Sequence, residues 1–132
     1  MNIGQAAKAS GITAKMLRHY ESIGLIRESR RSEAGYRLYT QTDLHTLRFV
    51  KHARSMGFAL DDIRQLLSLW QDGERASADV KALAMSHMAD LDEKIRVLTE
   101  MRAEIEALAE RCHGDDRPDC PIISGLAAED DN

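Results

Sequence analysis

Two cysteines near the C-terminus, Cys112 and Cys120, carry the most specific chemistry in the chain. They are its only cysteines, and seven residues separate them in the segment Cys112-His113-Gly114-Asp115-Asp116-Arg117-Pro118-Asp119-Cys120-Pro121. That spacing closes one short loop able to turn both sulfurs inward. Two thiolates alone make a poor structural zinc site, which usually takes four N or S ligands. They suit a soft monovalent ion such as Cu(I), which thiolates select by softness. Cys120 precedes Pro121, a residue that favours the first position of a helix, where the helix dipole favours the thiolate. His113 reads as a solvent-facing neighbour of a ligand and His87 as a polar seam residue. Met85, Met88 and Met101 read as packing residues.

The surroundings of that loop follow from composition. The 132-residue chain has a net charge of −4 that conceals an asymmetry: residues 1–58 carry +6 and the remainder −10. A basic block on an acidic chain is the footprint of a phosphate-binding region. The opening Met1-Asn2-Ile3-Gly4-Gln5 lacks the basic start and apolar run of a signal peptide. No stretch reaches membrane-spanning length, so a cytoplasmic protein with no membrane partner is expected. Thiols stay reduced in that compartment, which favours ligands over a disulfide. No catalytic constellation stands out, so no enzyme activity is expected.

The basic half divides into short elements. Gly4 to Ala9 reads as a helix and Ser10-Gly11-Ile12 as a turn. Thr13 caps a second helix over Ala14 to Ser22. Two helices joined by a glycine-containing turn make a helix-turn-helix, with Ala6 and Ala7 allowing a close crossing. The second helix places Lys15, Arg18 and Tyr20 within two turns, suiting a helix in the DNA major groove. Ile23 to Ile26 is expected to end that helix and begin a strand. Ser32 to Gly35 turns, and Tyr36 to Tyr39 alternates as the return strand. This hairpin wing offers Arg31, Tyr36, Arg37 and Tyr39 to DNA. Thr40 and Asp43 form a capping box for a helix reaching about Met56. A further helix runs from Asp61/Asp62 to about Trp70, a lone tryptophan expected in the core.

From Ser77 to Arg111 there is neither proline nor glycine. Val80, Ala84, His87, Leu91, Lys94, Leu98, Met101, Ile105, Leu108 and Cys112 recur at alternating four- and three-residue spacing, a coiled-coil seam. A helix of about 33 residues is about 50 Å long. That is too long to bury its stripe on so small a domain, so it is expected to dimerise.

These residues resemble those of the MerR family of bacterial transcription regulators. The resemblance is carried by Ile3 to Ala7, Thr13 to Tyr20, Ile23 to Ile26, Gly35 to Tyr39 and Arg54 to Phe58, and it adds Arg54 to the DNA-binding set. Ser77 to Val80 and Cys112 to Ile122 are most similar to the copper-responsive CueR/HmrR branch. The resemblance implies a mainly α fold: a winged helix-turn-helix domain with auxiliary helices over residues 1–72 and an antiparallel coiled-coil dimerisation helix over 73–111. A metal-binding loop and short helix over 112–126 and a disordered tail over 127–132 complete it. It further implies a homodimer on a palindromic promoter operator. There a Cu(I)-dependent distortion of the DNA realigns promoter elements for RNA polymerase and activates copper-resistance genes. Ag(I) and Au(I) are soft ions that the same pair would accept. Ser77 is implied as a selectivity residue contributed by the other subunit.

Three other functions are open to the sequence. A zinc, lead, cadmium or mercury sensor of the same family would carry Cys where Ser77 stands. A copper-buffering protein would not need the helix-turn-helix and wing. An iron–sulfur redox sensor would need about four cysteines.

Overall fold

The structure is a computed structural model and describes residues 1–128. It contains, in chain order, α1 (Ile3–Ser10), α2 (Ala14–Ser22), β1 (Arg30–Arg31), β2 (Arg37–Leu38), α3 (Gln41–Ser55), α4 (Leu60–Gln71), α5 (Ser77–Glu110) and α6 (Pro121–Ala127). The expected tail from 127 falls partly outside the described residues, and Ala127 is the last residue of α6.

Each early helix begins at a side chain that satisfies its free amides. Asn2 accepts from the Gln5 amide at 2.8 Å and Gln5 Oε1 accepts from the Asn2 amide at 2.9 Å. Thr13 accepts from the Met16 amide at 3.2 Å. Thr40 and Asp43 form the anticipated capping box, with bonds of 3.1 and 2.8 Å. The α1–α2 turn depends on Gly11, whose φ of +74° is left-handed and where a Cβ would run into the Lys51 side chain.

The chain forms two compact units, residues 1–84 and the residues from Met85 onward. In the first, Leu17 from α2, Leu47 and Val50 from α3 and Ile63 from α4 are fully buried. Ala6 is also sealed from solvent, which lets α1 approach its neighbours closely. In the second, α6 lies against the end of α5: a Cβ on Gly125 would collide with the methyl groups of Leu108.

Three expectations are corrected. Ile23 to Ile26 does not start a strand. It turns tightly, with the Leu25 and Ile26 amides both donating to the Tyr20 carbonyl, and it sends both side chains into the core. The wing is consequently only two residues per strand, pairing Arg30 with Leu38 and Arg31 with Arg37. Trp70 is 43% exposed rather than buried, because it sits in the last turn of α4 and stacks one ring face on Phe49, centroids 4.6 Å apart.

Asp43 also holds Arg27, Nε to Oδ1 at 2.7 Å. Burial pushes the Asp43 carboxyl up, but the bonds from Arg27 and from the Thr40 amide and hydroxyl outweigh it and leave it below its ordinary value. A lowered carboxylate contributes stability that is present above its unfolded pKa and lost as pH falls through the folded one. Asp43→Ala should therefore lower unfolding free energy by about 1 kcal/mol near neutral pH. Urea titrations of both proteins should show that difference shrinking below about pH 4; a pH-independent difference would contradict the assignment.

Candidate DNA-binding face and thiolate pair

The basic residues expected to meet DNA fall into two groups. Lys15 and Arg18 are exposed on α2, Arg31 on β1 and Arg54 near the end of α3. Tyr36 at the wing turn is 71% exposed, and the Arg31 guanidinium folds over that turn to donate to the Gly35 carbonyl at 3.0 Å. These groups are accessible to a polyanion.

Tyr20 and Tyr39 are not. Both rings are buried in the core, which corrects their expected place among the DNA contacts. Tyr20 stands three residues after buried Leu17 and so shares its inward helix face. Along the wing, Arg37 and Tyr39 point to one face and Tyr36 and Leu38 to the other, as strand alternation requires. The inward pair meets Glu21 of α2. The Tyr39 hydroxyl donates to Glu21 Oε1 at 3.0 Å, and Arg37 Nε donates to Oε2 at 2.9 Å. Burial raises the Tyr39 pKa, and the bond to Glu21 adds to it. Burial also pushes the Glu21 carboxyl up. The Ser29 hydroxyl beside it, Arg37, Tyr39 and the Ser29 amide bring it below its ordinary value. The Ser29 hydroxyl is near without reaching hydrogen-bond geometry.

Glu21 was not among the residues that the sequence singled out. The signal was present: a carboxylate in the last turn of a helix opposes the dipole, and this one lies within the basic block.

The cysteines sit at the two ends of one loop. Cys112 follows α5, its amide bonded to the Ala109 carbonyl at 3.1 Å, and Cys120 is the N-cap residue of α6 with Pro121 in its first turn. Asp115 tightens the loop by accepting from the Arg117 amide at 3.0 Å and from its guanidinium at 2.8 Å. Both sulfurs are half-buried, and the Cys112 side chain is within hydrogen-bonding reach of Cys120. The Ile123 amide lowers the Cys120 pKa; burial and the Asp119 charge oppose this, and the Ile122 amide and Cys112 reinforce it. The donor set fits a soft ion. Among the described residues no group of three or more His, Cys, Asp or Glu could hold a metal, and His113 is exposed. Ser77, the first residue of α5, is exposed.

Among the described residues no helix is long and apolar enough to cross a membrane. Two family models match the chain: "MerR HTH family regulatory protein" over residues 1–70 and "MerR, DNA binding" over residues 44–108. A heavy metal-dependent transcription regulator 2 of Rhizobium meliloti (strain 1021) is 54% identical over 127 residues, which is 96% of this chain and 86% of the relative. The HTH-type transcriptional regulator CueR of Escherichia coli O6:H1 is 44% identical over 127 residues, covering 96% of this chain and 94% of that one. The lead(II) complex of the transcription regulator PbrR691 from Ralstonia metallidurans CH34 superposes with a TM-score of 0.80 at 35% identity, over 96% of this chain and 99% of the other.

Arg18 is exposed on α2, and among the described residues no carboxylate holds it as Glu21 holds Arg37. Arg18→Ala should flatten the log–log salt dependence of operator binding by about 0.9, the share of a single phosphate. Tyr36→Phe should weaken binding with little change in slope. A slope unaltered by Arg18→Ala would remove that residue from the phosphate-binding set.

Proposed function

The chain belongs to the MerR family and is a metal-responsive, DNA-binding transcription regulator rather than an enzyme, and we propose that the ion it answers to is Cu(I), with Ag(I) and Au(I) accepted by the same site. The observation that carries this reading is the pairing of Cys112 with Cys120, with no third donor among the described residues. Two thiolates and one monovalent ion leave a net charge of −1. Burying a lone charge is costly, and the amides at the start of α6 supply the partial positive charge that offsets it. A divalent ion would want further ligands.

In this reading the protein is a cytoplasmic homodimer. Its subunits pair through the apolar stripe of α5, and it sits on a palindromic promoter operator. Lys15, Arg18, Arg31, Tyr36, Arg37 and Arg54 hold the DNA, while Tyr20 and Tyr39 support the face from inside. Cys112 and Cys120 would hold the ion at the end of α5, so the loop they close biases the geometry of the dimer. Bending or untwisting a site of 20–30 base pairs costs about 1–6 kcal/mol. Coupling between two sites typically supplies about 1–3 kcal/mol, enough to bias such a deformation. The deformation presents the promoter of copper-resistance genes to RNA polymerase.

The lead(II) complex of PbrR691 favours a second reading, a divalent-ion sensor. Ser77 separates the two. At the start of α5 of the opposite protomer, a serine hydroxyl is a poor ligand where a cysteine would give a third soft donor.

Cys112→Ser and Cys120→Ser should each abolish transcription induced by Cu(I) and leave operator affinity within about threefold, less than one charged hydrogen bond. Full-amplitude induction in either variant would refute the two-thiolate site. Ser77→Cys should open the transcriptional response to Zn(II) or Hg(II) at some loss of Cu(I) selectivity. If Ser77 only caps the helix, the variant loses about 1 kcal/mol of stability and keeps its metal preference.

A further inference from the structure

We infer that Glu21 is a positioning residue for DNA recognition: it ties the wing to the recognition helix and aims the Arg37 guanidinium. An acid there is costly in two ways. It stands in the last turn of α2, where the dipole disfavours negative charge. It also lies among basic residues that meet phosphates, which it repels. Its side chain is nonetheless 5% exposed and fully engaged by the wing.

Three bonds converge on it from both legs of the hairpin. The Ser29 amide, ahead of β1, donates at 3.2 Å; Arg37 Nε, on β2, at 2.9 Å; and the Tyr39 hydroxyl, beyond β2, at 3.0 Å. A hairpin with two residues per strand is marginal alone and takes its orientation from what holds it. The backbone of Tyr39 is separately fixed by Met1, through bonds of 2.9 and 2.7 Å. That anchor reaches only the outgoing leg and no side chain. Glu21 is what joins the incoming leg and the Arg37 side chain to α2. The bond uses Nε, and the two terminal nitrogens of the planar guanidinium carry four further N–H donors, a fork suited to a phosphate.

The inference rests on α2 and the wing meeting DNA, so one measurement is made without DNA. Amide exchange of the free full-length protein should be about tenfold faster over the wing, residues 30–38, in both Glu21→Gln and Tyr39→Phe, as expected when a hydrogen bond to a charged group is weakened. The amides of Leu47 and Val50 in α3 should keep their rates. Unchanged wing exchange, or equal acceleration everywhere, would overturn the anchoring role whatever happens on DNA.

The aiming role is read from operator binding of Glu21→Gln, Arg37→Ala and the double variant. If Glu21 were a bystander, removing a negative charge beside phosphates would tighten binding. The inference predicts the opposite sign, a loss of about tenfold. In the Arg37→Ala background the same substitution should have no effect or should tighten binding. Tighter binding by Glu21→Gln alone overturns the inference, and so does an undiminished loss in the Arg37→Ala background.

Discussion

Along α5, Met85, Met88, Ile95, Leu98, Met101 and Ile105 are each more than half exposed in a single chain. This uncovered apolar surface is the constraint on which the proposed mechanism depends. At about 25 cal/mol per Å² of apolar area removed from water, a stripe of this length favours association strongly. A second copy carries the same stripe, and a twofold contact is self-complementary by construction. Pairing along α5 would present two recognition helices with fixed spacing, as a palindromic site requires. It would also put a thiolate loop at each end of the paired helices, because Cys112 follows Glu110 by two residues. His87 is buried within this stripe and Lys94 is exposed; both are polar positions in an otherwise apolar pattern.

Electrostatics divides the labour between the two units. In residues 1–84, cations that meet solvent, such as Lys15 and Arg18, alternate with cations held by carboxylates: Arg37 by Glu21 and Arg27 by Asp43. The paired cations fix internal geometry and the solvent-facing ones supply attraction for phosphates. In the second unit the useful charge is negative. The Cys120 thiol is lowered by peptide amides, so a thiolate is available without a neighbouring lysine or arginine that would compete with a metal cation.

Much of this was legible in the residues. Capping chemistry is local, so Thr13 placed the start of α2 and Thr40 with Asp43 placed the start of α3. The absence of proline and glycine gave α5 almost to the residue. The misses share a cause: they depend on contacts distant in sequence. Leu25 and Ile26 read as strand by type, yet the core under α3 and α4 takes them as a turn. Tyr20 and Tyr39 read as hydrogen-bonding groups for phosphate, yet the ring dominates each and the core buries it. Glu21 became visible only when the wing was seen folded onto it. The pairing of the two cysteines followed from spacing, whereas the help that α6 gives Cys120 rested on Pro121 and is present as expected.

The central claim is that a two-thiolate site controls the shape of promoter DNA rather than its occupancy. Chemical footprinting of the operator by the reduced protein, with and without Cu(I), tests it most directly. The account predicts protection of the same base pairs in both states, with altered reactivity at the operator centre when Cu(I) is present. Release of the DNA on adding Cu(I), or an unchanged pattern under conditions where transcription is induced, would contradict it.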